Sequence, residues 1–286
     1  MTSSGSNAKT GVHAVVIGWP IAQSRSPIIH NHWLRRYGVT GTYSRRAVRP
    51  EELVPFLSTL AEQGLAGCNI TLPHKERAYA AIKRRETSAA VIGAGNTVWF
   101  EDGELVIANT DTYGFMHHLA LAAPGWDRRD VPAIVLGAGG AARGIVQGLL
   151  DAGLGRVYVL NRTRARADEV AEHFGARVRA QDWTELPNIA VSCAVLINTT
   201  SLGMTGQDAL DIDDSKLDRD AVVADVIYAP LETALLARAR HRGHRTVDGL
   251  GMLLHQAVPG FERWFGVRPE VTAELRAEVV ADLEGK

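Results

Sequence analysis

Apolar residues along the chain come in short runs of two periods. "VHAVVIG", "TYSRRAV" and "LAGCNIT" read as strands, and "SPIIHNHWLRRYG" has helical spacing from Pro27 to a stop at Gly38. "PEELVPFLSTLAEQG" predicts a helix from a Pro50 start in spite of Pro55, and "GNTVWFEDGELVIANTD" a hairpin turning at Asp102 and Gly103. From about Tyr113 the pattern becomes regular. "VPAIVLG", "RVYVLNR", "AVLINTT" and "AVVADVI" are short apolar runs separated by helical stretches, which predicts a parallel sheet covered on both faces. "GLGMLLHQAVPGFERWFG" and "PEVTAELRAEVVADLE" are helical in spacing with no strand after them, and are expected back against the first half. No tandem repeat or low-complexity block interrupts this order.

A length of 286 residues exceeds the usual single domain, so two domains are expected. With 31 basic and 32 acidic residues the net charge is -1, which gives no general attraction to nucleic acid or to an anionic membrane. Cys68 and Cys193 both sit in apolar runs and read as buried thiols of a reducing compartment. No apolar run reaches the roughly 20 residues that span a bilayer, and the start "MTSSGSNAKTG" lacks the apolar core of a signal peptide. A cytoplasmic, soluble protein with a loose N-terminus at 1–10 is expected. The histidine pairs His30 and His32, His117 and His118, and His241 and His244 have no cysteine or carboxylate partners at metal spacing, so no metal site is expected.

The first chemical signal is "AIVLGAGGAARGIVQGLL", which runs strand, turn, helix with Gly137, Gly139 and Ala142 in the GxGxxA variant of the dinucleotide fingerprint. Small residues let the backbone of Gly137, Ala138, Gly139, Gly140 and Ala141 approach a pyrophosphate. The helix N-terminus offers it free N–H groups and partial positive charge. The next strand ends in "NRTRARA". NAD-binding folds usually place an acidic residue there, and this chain has Asn161, Arg162, Thr163 and Arg166, groups that suit a 2'-phosphate, so NADP(H) is favoured. Arg164 reads as a surface arginine at the start of a solvated helix.

The first half places polar groups where propensity does not ask for them. Ser24 and Ser26 lie just before a helix, and Asn69, Thr71 and Lys75 come at the end of a buried strand. The plainer reading makes Ser26 a helix cap and Lys75 a solvated first-turn residue.

The motifs "PIAQSRSPIIHN", "NITLPHK", "GAGNT", "NTDTYGF", "GAGGAAR", "NRTRARA", "NTTSLGM" and "DGLGMLLHQA" follow one another over about residues 12 to 266. In these the sequence resembles the shikimate dehydrogenase family. The resemblance implies an α/β fold of two domains, an α/β substrate domain (11–112 plus 251–286) and a Rossmann-type doubly wound NADP domain (113–250), with a cleft between them. It implies reduction of 3-dehydroshikimate to shikimate by NADPH, a step of aromatic amino-acid biosynthesis. Ser24, Ser26, Asn69, Thr71, Asn96, Asp111, Tyr228 and Gln256 would bind the ring hydroxyls and carboxylate, with Lys75 and Asp111 as the catalytic pair. Thr199 and Ser201 would line the cofactor site, and Gly249 and Met252 would lie near the nicotinamide. The implied partner is the small-molecule substrate, and the implied assembly a monomer or homodimer.

One departure is Thr112, where the family usually has Gly after the motif aspartate, which bears on hinge flexibility. The plainer reading of Asp111 is an N-cap for "TYGFMHHLALA". Hydride addition to a ketone leaves charge on oxygen, so an ammonium in reach stabilises the transition state and delivers the proton. A neighbouring carboxylate orients it. Three alternatives stand beside this reading. A quinate/shikimate dehydrogenase would usually carry an acidic residue near the adenosine ribose, a tetrahydrofolate-linked dehydrogenase would lack the paired serines, and a non-catalytic NADPH sensor would not need both Lys75 and Asp111.

Overall fold

Two six-stranded sheets organise the chain, and the computed structural model describes residues 11–285. The expected loose N-terminus at 1–10 lies outside the described residues. The first sheet holds β1 (Val12–Gly18), β2 (Gly41–Ala47), β3 (Leu65–Ile70), β4 (Arg84–Arg85), β5 (Thr97–Glu101) and β6 (Glu104–Ala108), in the order β2-β1-β3-β5-β6-β4. It is mixed: β1 runs parallel to β2 and β3, and β5 and β6 form an antiparallel hairpin. The hairpin turns on Asp102 (φ 53) and Gly103 (φ 82), the left-handed pair that matches the twist of the flanking strands.

Helices α1 (Ser26–Tyr37), α2 (Leu53–Ser58), α3 (Lys75–Ala81) and α4 (Thr87–Ile92) connect these strands. The expected helix from Pro50 is broken in two, a 3-10 turn at Pro50–Glu52 followed by α2. Pro55 is the cause: it has no N–H for the carbonyl of Glu51, four residues earlier, and its ring crowds that carbonyl, so an α-helix cannot continue back through Glu51.

Helix α5 (Asp111–Ala122) leads to the second sheet, made of β7 (Ala133–Leu136), β8 (Val157–Leu160), β9 (Val178–Gln181), β10 (Val195–Asn198), β11 (Val222–Asp225) and β12 (Arg245–Val247). All its pairings are parallel and its order is β12-β11-β10-β7-β8-β9. Helices α6 (Gly140–Asp151), α7 (Arg164–Phe174), α8 (Leu186–Ile189) and α9 (Ala234–His241) cover it. Both faces are buried as the continuous apolar runs require: Ala133 and Val135 enter one core cluster, Ile134 and Leu136 the other. The strand order reverses between β7 and β10, and in doubly wound sheets ligands bind beyond the strand ends at that reversal.

The chain then returns to the first sheet through α10 (Gly249–Phe265) and α11 (Ala273–Leu283). Leu254, Phe261 and Trp264 of α10 and Leu275 and Val279 of α11 share a buried cluster with Trp33 and Tyr43. Cys68 and Cys193 are buried free thiols, each pushed up to about 12 by burial. Among the described residues no helix is long and apolar enough to cross a membrane, and no cluster of His, Cys, Asp or Glu could hold a metal.

Candidate active site

Two helix starts converge on one point. Lys75 opens α3 and Asp111 opens α5, and the Lys75 Nζ lies 2.5 Å from Asp111 Oδ2. The other carboxylate oxygen accepts from Asn96 Nδ2 at 2.8 Å. An ammonium at a helix N-terminus sits on the disfavoured end of the dipole, whereas the carboxylate of Asp111 sits on the favoured end. The pair settles the first mismatch with the second.

The plainer readings of these residues do not hold. The N-cap of α5 is Thr110 with no side-chain capping bond, so Asp111 does not cap; Asn109 Oδ1 instead accepts the Asp111 N–H at 3.0 Å. Ser26 is the first residue of α1 behind an Arg25 N-cap, and makes no capping bond. Lys75 is in its helix's first turn, as expected, but is ion-paired and only 27% exposed.

The pair lies in a cleft of about 580 Å³. Ser24, Ser26, Asn69, Thr71, Lys75, Asn96 and Asp111 line it from the first-sheet side, with Tyr228, Gly249, Met252 and Gln256 from the strand β11 end and α10. Gly140 and Ala141 reach the same cleft from the start of α6. Gly137, Ala138, Gly139, Asn161, Arg162, Thr163, Arg166, Thr199 and Ser201 are outside its lining, around the two turns that follow β7 and β8 and the loop after β10.

Sequence reasoning missed the polar layer beneath the cleft. Asn69 Nδ2 donates to Asn96 O (3.1 Å) and Thr97 Oγ1 (3.0 Å), and its Oδ1 accepts from the buried Tyr43 hydroxyl at 2.5 Å. Asn96 Oδ1 accepts from the Thr110 N–H at 2.8 Å. Tyr43, Thr97 and Thr110 thus fix the amides that face the cleft, and Asn109 fixes the backbone of Asp111. Their only trace in the sequence is polar residues inside apolar strand ends. His30 stacks on Tyr43 with ring centroids 3.9 Å apart.

Burial pushes the His30 ring down to about 3, with Asn69 opposing. The unfolded chain then binds a proton near pH 6.5 that the folded chain refuses, so stability from this group falls as pH drops from about 6.5 toward 3. By pH 4.5 the loss is on the order of 3 kcal/mol. His30→Phe is expected to flatten the stability profile between pH 6.5 and 4.5, read by urea unfolding at both. An unchanged slope would place the acid sensitivity elsewhere.

The residues at the cofactor end fit a dinucleotide. Gly137 has φ 108, and a Cβ there would come within 2.5 Å of Thr199 Oγ1, whose hydroxyl donates to Leu136 O. At Gly139 and Gly140 a Cβ would meet nothing within 4 Å, so space stands open before the N–H groups of α6. Asn161 Nδ2 donates to Thr163 O at 2.8 Å, closing the turn after β8. Arg164, read as a surface arginine, is tied to Asp168 (3.0 Å) and Asp182 (2.8 Å). Arg162 and Arg166 have no ion-pair partner among the described residues, so both guanidinium charges are available to a 2'-phosphate.

Thr112 packs between the two ends of the site. A Cβ on Gly144 of α6 would fall within 2.5 Å of its Oγ1, so the glycine makes room for the threonine. The helix that begins with Asp111 is thereby seated directly on α6, whose start lines the cleft.

Family-wide sequence patterns match three stretches: the shikimate dehydrogenase substrate binding domain over residues 16–98, shikimate / quinate 5-dehydrogenase over 121–214, and the shikimate 5'-dehydrogenase C-terminal domain over 249–276. The shikimate dehydrogenase (NADP(+)) of Nitrobacter winogradskyi is 54% identical over 96% of this chain and 98% of its own. The shikimate 5-dehydrogenase of Thermus thermophilus, solved with NADP(H) and shikimate, superposes with a TM-score of 0.84 at 33% identity, covering 94% of this chain and 98% of that one. A quinate dehydrogenase from Corynebacterium glutamicum in complex with NAD superposes with a TM-score of 0.87 at 27% identity, over 95% of this chain and 99% of that one. With the motifs, the two sheets and near full-length identity above one half in agreement, the chain belongs to the shikimate dehydrogenase family.

Proposed function

We propose that the chain catalyses the reversible NADPH-dependent reduction of 3-dehydroshikimate to shikimate, with Lys75 and Asp111 as its catalytic pair. The observation that carries this reading is the Lys75 Nζ to Asp111 Oδ2 contact of 2.5 Å at the floor of the cleft that Gly140, Ala141 and Met252 line from the other side. NADPH, when bound, supplies the hydride. Gly137, Ala138, Gly139, Gly140 and Ala141 would hold its pyrophosphate, Asn161, Arg162, Thr163 and Arg166 its adenosine 2'-phosphate, and Thr199, Ser201, Gly249 and Met252 the remainder.

The chain's own groups do the rest. The Lys75 ammonium donates a hydrogen bond to the substrate oxygen on which charge develops and delivers a proton from Nζ to it. Asp111, oriented by Asn96, keeps Nζ in place and accepts from a neighbouring hydroxyl of the substrate. Asn69 has both amide hydrogens engaged, so it offers the substrate only the free lone pair of Oδ1. Thr71, Asn96 and Gln256 complete the wall for the ring hydroxyls, and Ser24, Ser26 and Tyr228 receive the carboxylate. The division into 11–112 plus 251–286 and 113–250, a cytoplasmic location, and a monomer or homodimer belong to the same proposal.

A site built around specific hydroxyls rejects an analogue that leaves its groups mismatched. Shikimate is therefore expected to be preferred over quinate, which adds a hydroxyl at the carboxylate-bearing carbon, and NADP+ over NAD+. Steady-state kcat/KM for the four combinations tests this. Comparable values for the two acids would move the chain to the quinate/shikimate group, and absence of turnover in all four would leave a binding protein.

A further inference from the structure

The last helix makes its charged contacts with the parts that build the substrate end of the cleft. Arg276 of α11 donates to Asp248 Oδ2 at 2.7 Å, and Asp248 caps α10, which carries Gly249, Met252 and Gln256. Glu278 accepts from His32 (2.7 Å) and Arg35 (2.9 Å) of α1. One turn further on, Asp282 Oδ2 lies 2.6 Å from Arg25 Nε, an ion pair by distance without the alignment of a hydrogen bond.

Arg25 stands between the two serines. A terminal nitrogen of its guanidinium donates to Gln23 O, and Arg45 Nε of β2 donates to Ser24 O at 2.7 Å. Guanidinium groups thus fix the loop from two sides, one anchored in the sheet and the other by Asp282. Gln23, Ser24 and Ser26 line the cleft, whereas Arg25 and Asp282 do not, so the pair acts on the site through the loop. Arg25 is also electrostatically in reach of the opposite lip: burial pushes the Tyr228 phenol up, and Arg25 opposes that shift.

We infer that Asp282 is a positioning residue of the substrate site: by holding the Arg25 guanidinium against α11 it sets the Ser24 and Ser26 hydroxyls that receive the substrate carboxylate. The inference rests on the proposed roles of Ser24 and Ser26. It makes the C-terminal helix, which touches no substrate, a determinant of substrate affinity. Asp282 is 43% exposed, so the effect has the modest size of a partly solvated pair.

Steady-state kinetics of the full chain with shikimate and NADP+ test it. Asp282→Asn is expected to raise KM for shikimate about three- to fivefold, with kcat and KM for NADP+ unchanged. In an Arg25→Gln background the same substitution is expected to add nothing further, because its route is already cut. Glu278→Gln loosens the same helix away from the loop and is expected to leave KM for shikimate alone. A lower KM in Asp282→Asn, meaning that a released Arg25 swings onto the carboxylate, would overturn the inference. So would an equal rise in Glu278→Gln, or a joint rise of both KM values, since either marks general loosening. Ser26→Ala separates the two levels: an unmoved KM there removes the reading beneath, while a raised KM there with a silent Asp282→Asn removes the positioning role of Asp282 alone.

Discussion

Lys75→Ala is expected to lower kcat by about a hundredfold or more while KM for shikimate changes little. In the proposed reaction the ammonium would contact the substrate oxygen in the ground state, and its interaction would strengthen as charge develops there, so its loss would fall on the transition state. The geometry sharpens the expectation. Lys75 Nζ is held 2.5 Å from Asp111 Oδ2, and Asp111 is held in turn by Asn96 at 2.8 Å and through its backbone by Asn109 at 3.0 Å. Removing the ammonium leaves that frame standing, so the enzyme should still bind both ligands. Asp111→Asn keeps the shape and removes the charge that orients the lysine, and should depress kcat as well. Because the two groups act as a unit, the double variant should lose far less than the product of the single losses. A Lys75→Ala enzyme with near-normal kcat and a raised KM would leave Lys75 a binding residue.

The parts of the fold that the sequence reveals are those where one local rule acts alone. The α1 stop at Gly38 needs one left-handed residue and the hairpin needs two, Asp102 and Gly103, and the chain supplies them. The four central runs of the second sheet are apolar up to their last residues because both faces are covered, with Asn198 and Asp225 ending two of them. Strands β9 and β12 escape the same reading for a physical reason: they are edge strands of 4 and 3 residues, partly exposed, and "VRAQ" and "RTV" carry no period. At the site, chain order could show that Lys75 and Asp111 are both present, but only the fold brings together residues 36 positions apart. The layer of Tyr43, Thr97, Thr110 and Asn109 was illegible because each is an ordinary strand or turn residue until its neighbours are known. The capping readings of Ser26 and Asp111 fail because a helix start offers a polar side chain two uses, and here the cleft takes it.

Arg162→Ala is expected to raise KM for NADPH roughly 10- to 150-fold, the equivalent of about 1.5 to 3 kcal/mol for hydrogen bonds to a charged group, while hardly altering the weak reaction with NADH. Three arginines follow β8, and they are not equivalent. Arg164 is committed to Asp168 and Asp182, which leaves little of its charge for a ligand. Arg162 and Arg166 have no such partners among the described residues, and the turn that presents them is closed by the Asn161 to Thr163 hydrogen bond of 2.8 Å. An acidic residue at the end of β8 would repel a 2'-phosphate, whereas Asn161 is neutral there. On the proposed reading the cofactor preference resides in these two guanidinium groups and a missing carboxylate, and Arg164→Ala should cost stability of the α7 start without separating the two cofactors. Measuring KM for NADPH and NADH in both variants decides the matter. An equal loss with both cofactors in Arg162→Ala would show that this residue supports the turn and does not read the phosphate.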